Sequence, residues 1–238
     1  MAAQPFLETL ASRAPWAHVG RVLLMKAGIP VARGWQNTLA ASELLEEKAR
    51  DAEPKLAAAL DQHLIAGEKS VQFFDITGDQ KKQLDQFVRK SKFSKSVFLD
   101  HFPNLLPVSD LASNGVNEPV LLKRIELSDG MALIYASIRS YHERVEISKS
   151  DLKASKLDDG YEELYAIRRR NVQTFDALWI PANGLRICTL VDLPVGAPKD
   201  FSLYPQEFLR KVICKAVGDN DVPPLSVAVR IGVRGYFN

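Results

Sequence analysis

The sequence predicts an α+β protein: an N-terminal helical bundle followed by a mainly antiparallel β-sheet with one amphipathic helix packed on it. Three observations carry that expectation. Apolar residues recur at helical spacing through the first hundred residues, most clearly as Leu56, Leu60 and Leu64. Two strand-like runs reverse at Ser128-Asp129-Gly130 and at Asn183-Gly184, where Asp-Gly and Asn-Gly favour tight hairpin turns. The segment Pro205 to Val217 has proline at its start, Gly218 just past its end, and one apolar face.

The helices follow in order. Pro15 suits a helix start, and Val19, Val22 and Leu23 keep helical spacing until Gly28 and Pro30 stop the run. Asn37 or Thr38 is placed to cap a second helix carrying Leu39, Leu44 and Leu45. Pro54 restarts a third, whose leucine stripe faces other helices. Asp79 to Lys90 forms a further helix around Leu84, Phe87 and Val88. From Pro103 to Pro119 the periodicity lapses among prolines and asparagines, so this stretch reads as a linker. The expected organisation is therefore a helical domain over 1–102, a linker over 103–118, and a sheet-plus-helix domain over 119–238.

Beyond the linker, Pro119 to Leu127 and Met131 to Arg139 form the first predicted hairpin. After a bend, His142 to Ile147 continues as strand, and Leu164 to Arg170 is also read as strand. Phe175 to Ile180 and Leu185 to Val191 make the second hairpin, and Leu225 to Val233 a last strand. The chain stops at Gly235-Tyr236-Phe237-Asn238 with no polar tail, a pattern also expected of a piece of a longer protein.

Composition narrows the function classes. With 238 residues, 46% hydrophobic and 25% charged, the chain is an ordinary globular sequence able to bury a sizeable core. No apolar stretch approaches the roughly 18–20 residues of a membrane span, so no membrane partner is expected. The N-terminus shows no basic region leading into an apolar one, so a cytoplasmic location is the expectation. Two cysteines, Cys188 and Cys214, have neither zinc-site spacing nor the density of a disulfide framework. Cys214 falls beside Arg210 and Lys211 on the predicted helix, but reads as an inert thiol at the edge of the packed face.

Catalytic signatures are sparse. His18, His63, His101 and His142 stand alone, and neither an HExxH pattern nor a Gly-x-Ser-x-Gly elbow occurs. Without a Walker loop or Gly-x-Gly-x-x-Gly, no cofactor is expected. Acidic-x-Lys triplets, which in some nucleases hold a metal, occur four times; only Asp151 to Lys153 follows a predicted strand, with Asp129 in the preceding turn. Gly232-Val233-Arg234-Gly235 and Arg234-Gly235-Tyr236 begin like RNA-binding signatures that the chain does not complete.

Charge is more informative than motif. The net charge of +2 is mild, but residues 76–100 hold six cations against three acids. Lys81, Lys82, Arg89, Lys90, Lys92 and Lys95 lie within fifteen residues, interleaved with Phe87 and Phe93, with Asp85 the single acid among them. With Leu84, Phe87 and Val88 turned to the core, those cations face outward, ready for phosphates or an acidic protein face. A second cluster, Arg168-Arg169-Arg170, has Asp158, Asp159, Glu162 and Glu163 just before it in sequence. Tyr135, Arg139 and Tyr141 share one strand face, available either to stack bases or to receive a helix.

The expectation is a non-catalytic binding or scaffold protein engaging nucleic acid or an acidic partner through Lys81, Lys82, Arg89, Lys90, Lys92 and Lys95, with Arg168, Arg169 and Arg170. Two alternatives stand beside it: a metal-dependent phosphodiesterase using Asp129, Asp151 and Lys153, and a regulatory subunit of a larger complex.

Overall fold

Helices cover both faces of one six-stranded sheet. The computed structural model describes residues 3–43, 46–147, 165–194, 196–225 and 229–231. Helices α1 (Gln4–Arg13), α2 (Arg21–Lys26), α3 (Gly34–Glu43) and α4 (Glu46–Ala66) come first, with a π-turn at Trp16–Gly20 before α2. Strand β1 (Lys69–Asp75) and helices α5 (Gly78–Lys90), α6 (Val97–His101) and α7 (Val108–Asn114) follow. Then come β2 (Val120–Leu127), β3 (Gly130–Glu146), β4 (Tyr165–Pro181) and β5 (Arg186–Asp192). Helix α8 (Leu203–Val217), entered through a 3-10 turn, and β6 (Val229–Ile231) complete the order. The protein is α+β, as expected.

The sheet runs β2-β3-β4-β5-β1-β6 with every pairing antiparallel. Alternation along β3 divides the core in two. Ala132, Ile134, Ala136 and Ile138 face the N-terminal helices, joining Leu10, Leu24, Leu56, Leu60 and Leu64. Leu133 and Tyr135 face the other way, toward Leu84 and Val88 of α5 and Leu209, Ile213 and Val217 of α8. The leucine stripe of α4 and the apolar face of α8 are thus buried as their spacing requires. Gly218 takes the left-handed conformation past α8, with φ +66.

Several local expectations change. Lys69–Asp75, within the stretch read as helices, is strand β1, lying between β5 and β6. It is buried on both faces, so its pattern lacks the alternation that marks a half-exposed strand. Helix α3 begins at Gly34, before the expected caps; Thr38 lies inside it, its hydroxyl 2.8 Å from the Gly34 carbonyl. Pro54 does not restart a helix, since α4 runs through it. Strand β3 passes Arg139 to Glu146 without a break. Within 103–118 lies α7, and the segment is tied to both sides: Thr9 donates to the Pro103 carbonyl, and Leu106 N–H donates to Gln173 Oε1. Among the described residues, no helix is long and apolar enough to cross a membrane.

Candidate functional site

The basic segment spans α5 and the loop after it. Thr77 caps α5, its hydroxyl accepting from Gln80 N–H while the Gln80 side chain accepts from Thr77 N–H. Leu84 and Val88 are buried, and Lys82, Arg89, Lys90, Lys92 and Lys95 are exposed on the outer face, whereas Lys81 is half-buried. They are not equivalent. Lys81 pairs with Asp85 at 3.2 Å, partly buried, and Lys82 with Asp79 at 3.0 Å on the open helix surface. Arg89, Lys90, Lys92 and Lys95 are exposed and have no carboxylate partner among the described residues. Arg89 and Lys90 also sit in the last helical turn, where cations complement the helix dipole. Lys92 and Lys95 lie past that turn, so the dipole gives them no such role.

Lys92 does not stand alone. It lines a groove of about 590 Å³ between the end of α5, the β2–β3 face and α8, where Lys211 and Lys215 project from the far wall. Phe87, Tyr135 and Phe208 form its apolar base, with Tyr135 set edge-on to Phe208 at 5.5 Å between centroids. Tyr204, 57% exposed, stands at the rim. Glu118 and Glu207 also line the groove, Glu207 being held by Arg210 at 2.8 Å. Lys211 and Lys215 were legible as an i, i+4 pair on the polar side of α8; only the packing of α5 against α8 brings them to Lys92.

The arginine triplet lies elsewhere and divides by strand alternation. Glu143, opposite Arg168 across the β3–β4 ladder, accepts from Arg168 at 2.9 Å and from Arg170 at 2.9 Å. Those two guanidinia hold the Glu143 carboxyl below its ordinary range. Arg169 points to the opposite face, opposite His142 in the ladder, and has no carboxylate partner among the described residues. The structure therefore separates the two basic clusters rather than merging them into one surface.

Near the triplet is a buried ionic network that the sequence did not suggest. The β4–β5 ladder pairs only Ala177, Leu178 and Trp179 with Leu190, Thr189 and Cys188. Beyond it, side chains replace ladder bonds: Phe175 N–H donates to Asp192 Oδ2 at 2.7 Å and Asp192 N–H to Asp176 Oδ1 at 2.9 Å. Lys69 Nζ lies 2.7 Å from Asp192 Oδ1 and 2.6 Å from the Phe175 carbonyl. Arg13 contacts Asp192 at 2.7 Å, and Arg139 contacts Asp176 at 3.0 Å. Burial alone would raise the Asp192 carboxyl, but the charges of Arg13 and Lys69 with their hydrogen bonds hold it below the ordinary range. Burial pushes Asp176 the other way, against the pull of Arg139. His63, buried beside this network, is lowered to about 3 by burial and by the Arg13 and Lys69 charges. The arrangement closes a splay between strands with satisfied backbone groups.

Tyr135, Arg139 and Tyr141 do not form an open stacking face: all three are buried, with Phe208 and Phe201 packed edge-on against the two tyrosines. That sheet face receives α8 and the turn before it. Asp129 sits in the β2–β3 turn, exposed, while Asp151 and Lys153 lie outside the described residues, as do Asp158, Asp159, Glu162, Glu163 and Gly232 to Tyr236. Among the described residues, no three His, Cys, Asp or Glu side chains converge as a metal site would need. Cys188 is buried, its thiol pushed up to about 12 by that burial, whereas Cys214 is half-buried at the edge of the α8 core. Comparison with protein families, curated proteins and solved structures finds no match for the chain.

Proposed function

We propose that this is a non-catalytic binding protein whose groove between α5 and α8 holds a single strand of nucleic acid. The observation that carries the reading is the convergence of Lys92 with Lys211 and Lys215 around an aromatic-floored groove, continued outward by Arg89, Lys90 and Lys95. Cations along a groove follow a phosphate backbone, and an exposed ring such as Tyr204 offers a base a stacking surface without sequence readout. Lys81 and Lys82, engaged with Asp85 and Asp79, add less than their number suggests. Acidic Glu118 and Glu207 temper the groove and favour a ligand of spaced charges over a compact anion.

The test is the salt dependence of binding to a single-stranded oligonucleotide. Each phosphate contact contributes a slope of about 0.7 in log affinity against log salt, so replacing Lys92, Lys211 and Lys215 by glutamine should flatten it by roughly two units. The melting temperature should stay within about 2 °C, because exposed substitutions change stability little. An unchanged slope removes the groove from the reading. If the wild-type chain binds no oligonucleotide but the same variant abolishes binding to an acidic protein, the partner is protein and the nucleic-acid reading fails.

A further inference from the structure

Where β4 parts from β5, a cleft of about 900 Å³ opens between the sheet, the ends of α1 and α4, and α7. Its lining combines two kinds of surface. Arg13 of α1 and Arg169 of β4 supply guanidinium groups from two elements far apart in sequence, whereas Leu105, Leu106, Val108 and Leu111 supply an apolar wall. Val108 is 83% exposed there, a large apolar side chain standing open on a concave surface. This cleft is distinct from the α5–α8 groove and shares no lining residue with it.

The charge balance favours an anion. The buried network beneath the cleft sets Arg13, Lys69 and Arg139 against Asp176 and Asp192, three cations to two carboxylates. Glu68, also at the cleft, has interactions of its own within the fold. On the other face of β4, Glu143 occupies Arg168 and Arg170, whereas Arg169, on the cleft side, has no carboxylate partner among the described residues. Arg13 spends one terminal nitrogen on Asp192 and lies over the Phe175 ring at 4.6 Å, so its fork is held in place. The polar lining also offers an unused donor: Arg13 Nε is buried without a hydrogen-bond partner, where native proteins nearly always provide one.

We infer that this cleft binds a small organic phosphate of nucleotide size, its phosphates on Arg13 and Arg169 and its organic part against the Leu105, Val108 and Leu111 wall. Guanidinium forks match phosphate oxygens two at a time, which a glycine-rich loop achieves by other means. Apolar walls with a few placed polar groups are the usual make-up of small-molecule sites, and 900 Å³ lies within their usual size. The arginine of β4 thus serves a pocket rather than an extended polyanion surface.

Calorimetric titration of the full chain with ATP, and separately with inorganic tripolyphosphate, tests this. ATP should bind more tightly than tripolyphosphate, because only ATP reaches the apolar wall. Arg169→Gln should weaken ATP roughly tenfold or more, the worth of one charge-assisted contact, with an unchanged melting temperature. The Lys92→Gln, Lys211→Gln, Lys215→Gln variant should bind ATP as the wild type does, and Arg169→Gln should leave the oligonucleotide salt slope intact. Those two controls separate this site from the groove. No heat with either probe at millimolar concentration, equal affinity for both, indifference to Arg169→Gln, or loss of ATP binding in the lysine variant would each overturn the inference.

Discussion

His63 is a neutral imidazole enclosed among cations, and its titration links the fold to pH. Burial and the Arg13 and Lys69 charges lower it to about 3 in the folded protein, against an ordinary value near 6.5 when unfolded. Below about pH 6.5 the unfolded chain therefore binds a proton that the folded one refuses, so stability falls as pH drops from 6.5 toward 3. At pH 5 this group alone costs about 2 kcal/mol relative to pH 7. Urea unfolding of wild type and His63→Gln at both pH values should show the variant losing less by about that amount, whatever it loses at pH 7. Equal losses in the two proteins would mean that His63 is protonated inside the fold. Nothing in the sequence marked this histidine apart from the other three. Its neighbours Arg13, Lys69 and Asp192 come from α1, β1 and β5, and only folding assembles them.

At the scale of elements, the two hairpin turns were legible, yet their glycines act for different reasons. Gly184 has φ +93, a conformation that side chains bearing a Cβ rarely adopt, with open space around it. Gly130 has no such angle. It is required by close approach, since a Cβ there would stand 2.6 Å from Trp179 Cζ2 and 2.9 Å from the Pro181 Cα on β4. Backbone cannot yield as a flexible side chain does, so Gly130→Ala should destabilise by roughly 1–3 kcal/mol, the usual range for overpacking. Chemical denaturation would measure it, and a loss within error would show that β3 and β4 have room to part. The helices on the second face were equally legible: α5 and α8 each keep a periodic apolar side, and those sides meet across Leu84, Val88, Leu209 and Ile213. Strand β1 was not legible. Its ladder partners, β5 and β6, lie more than a hundred residues away, and a short strand buried on both faces carries no period-two signature.

Across the whole molecule, β1 decides how the halves depend on each other. It belongs by sequence to the helical part, yet it hydrogen-bonds to β5 and β6 and sends Lys69 into the network at Asp192. The first core cluster likewise joins Ala3 through Phe98 of the first part to Leu122 through Ala177 of the second. Expressed separately, residues 1–102 and 103–238 should each unfold without cooperativity by circular dichroism in urea, and mixing them should restore one transition. Two independent cooperative transitions would instead favour the separate domains that the loss of periodicity over 103–118 suggests. Features governed by near neighbours could be read from the chain: the α+β class, the hairpins, the amphipathic α4, α5 and α8, and the outward face of most of the basic segment. Spacing and turn chemistry act over a few residues and leave a local trace. Which surfaces those elements share is set by long-range packing. It divided the arginine triplet between two sheet faces, gave Lys92 its companions on α8, hid Tyr135, Arg139 and Tyr141 beneath α8 and the turn before it, and inserted β1 into the sheet. Those outcomes rest on contacts between segments remote in the chain, whose pairing no local pattern records.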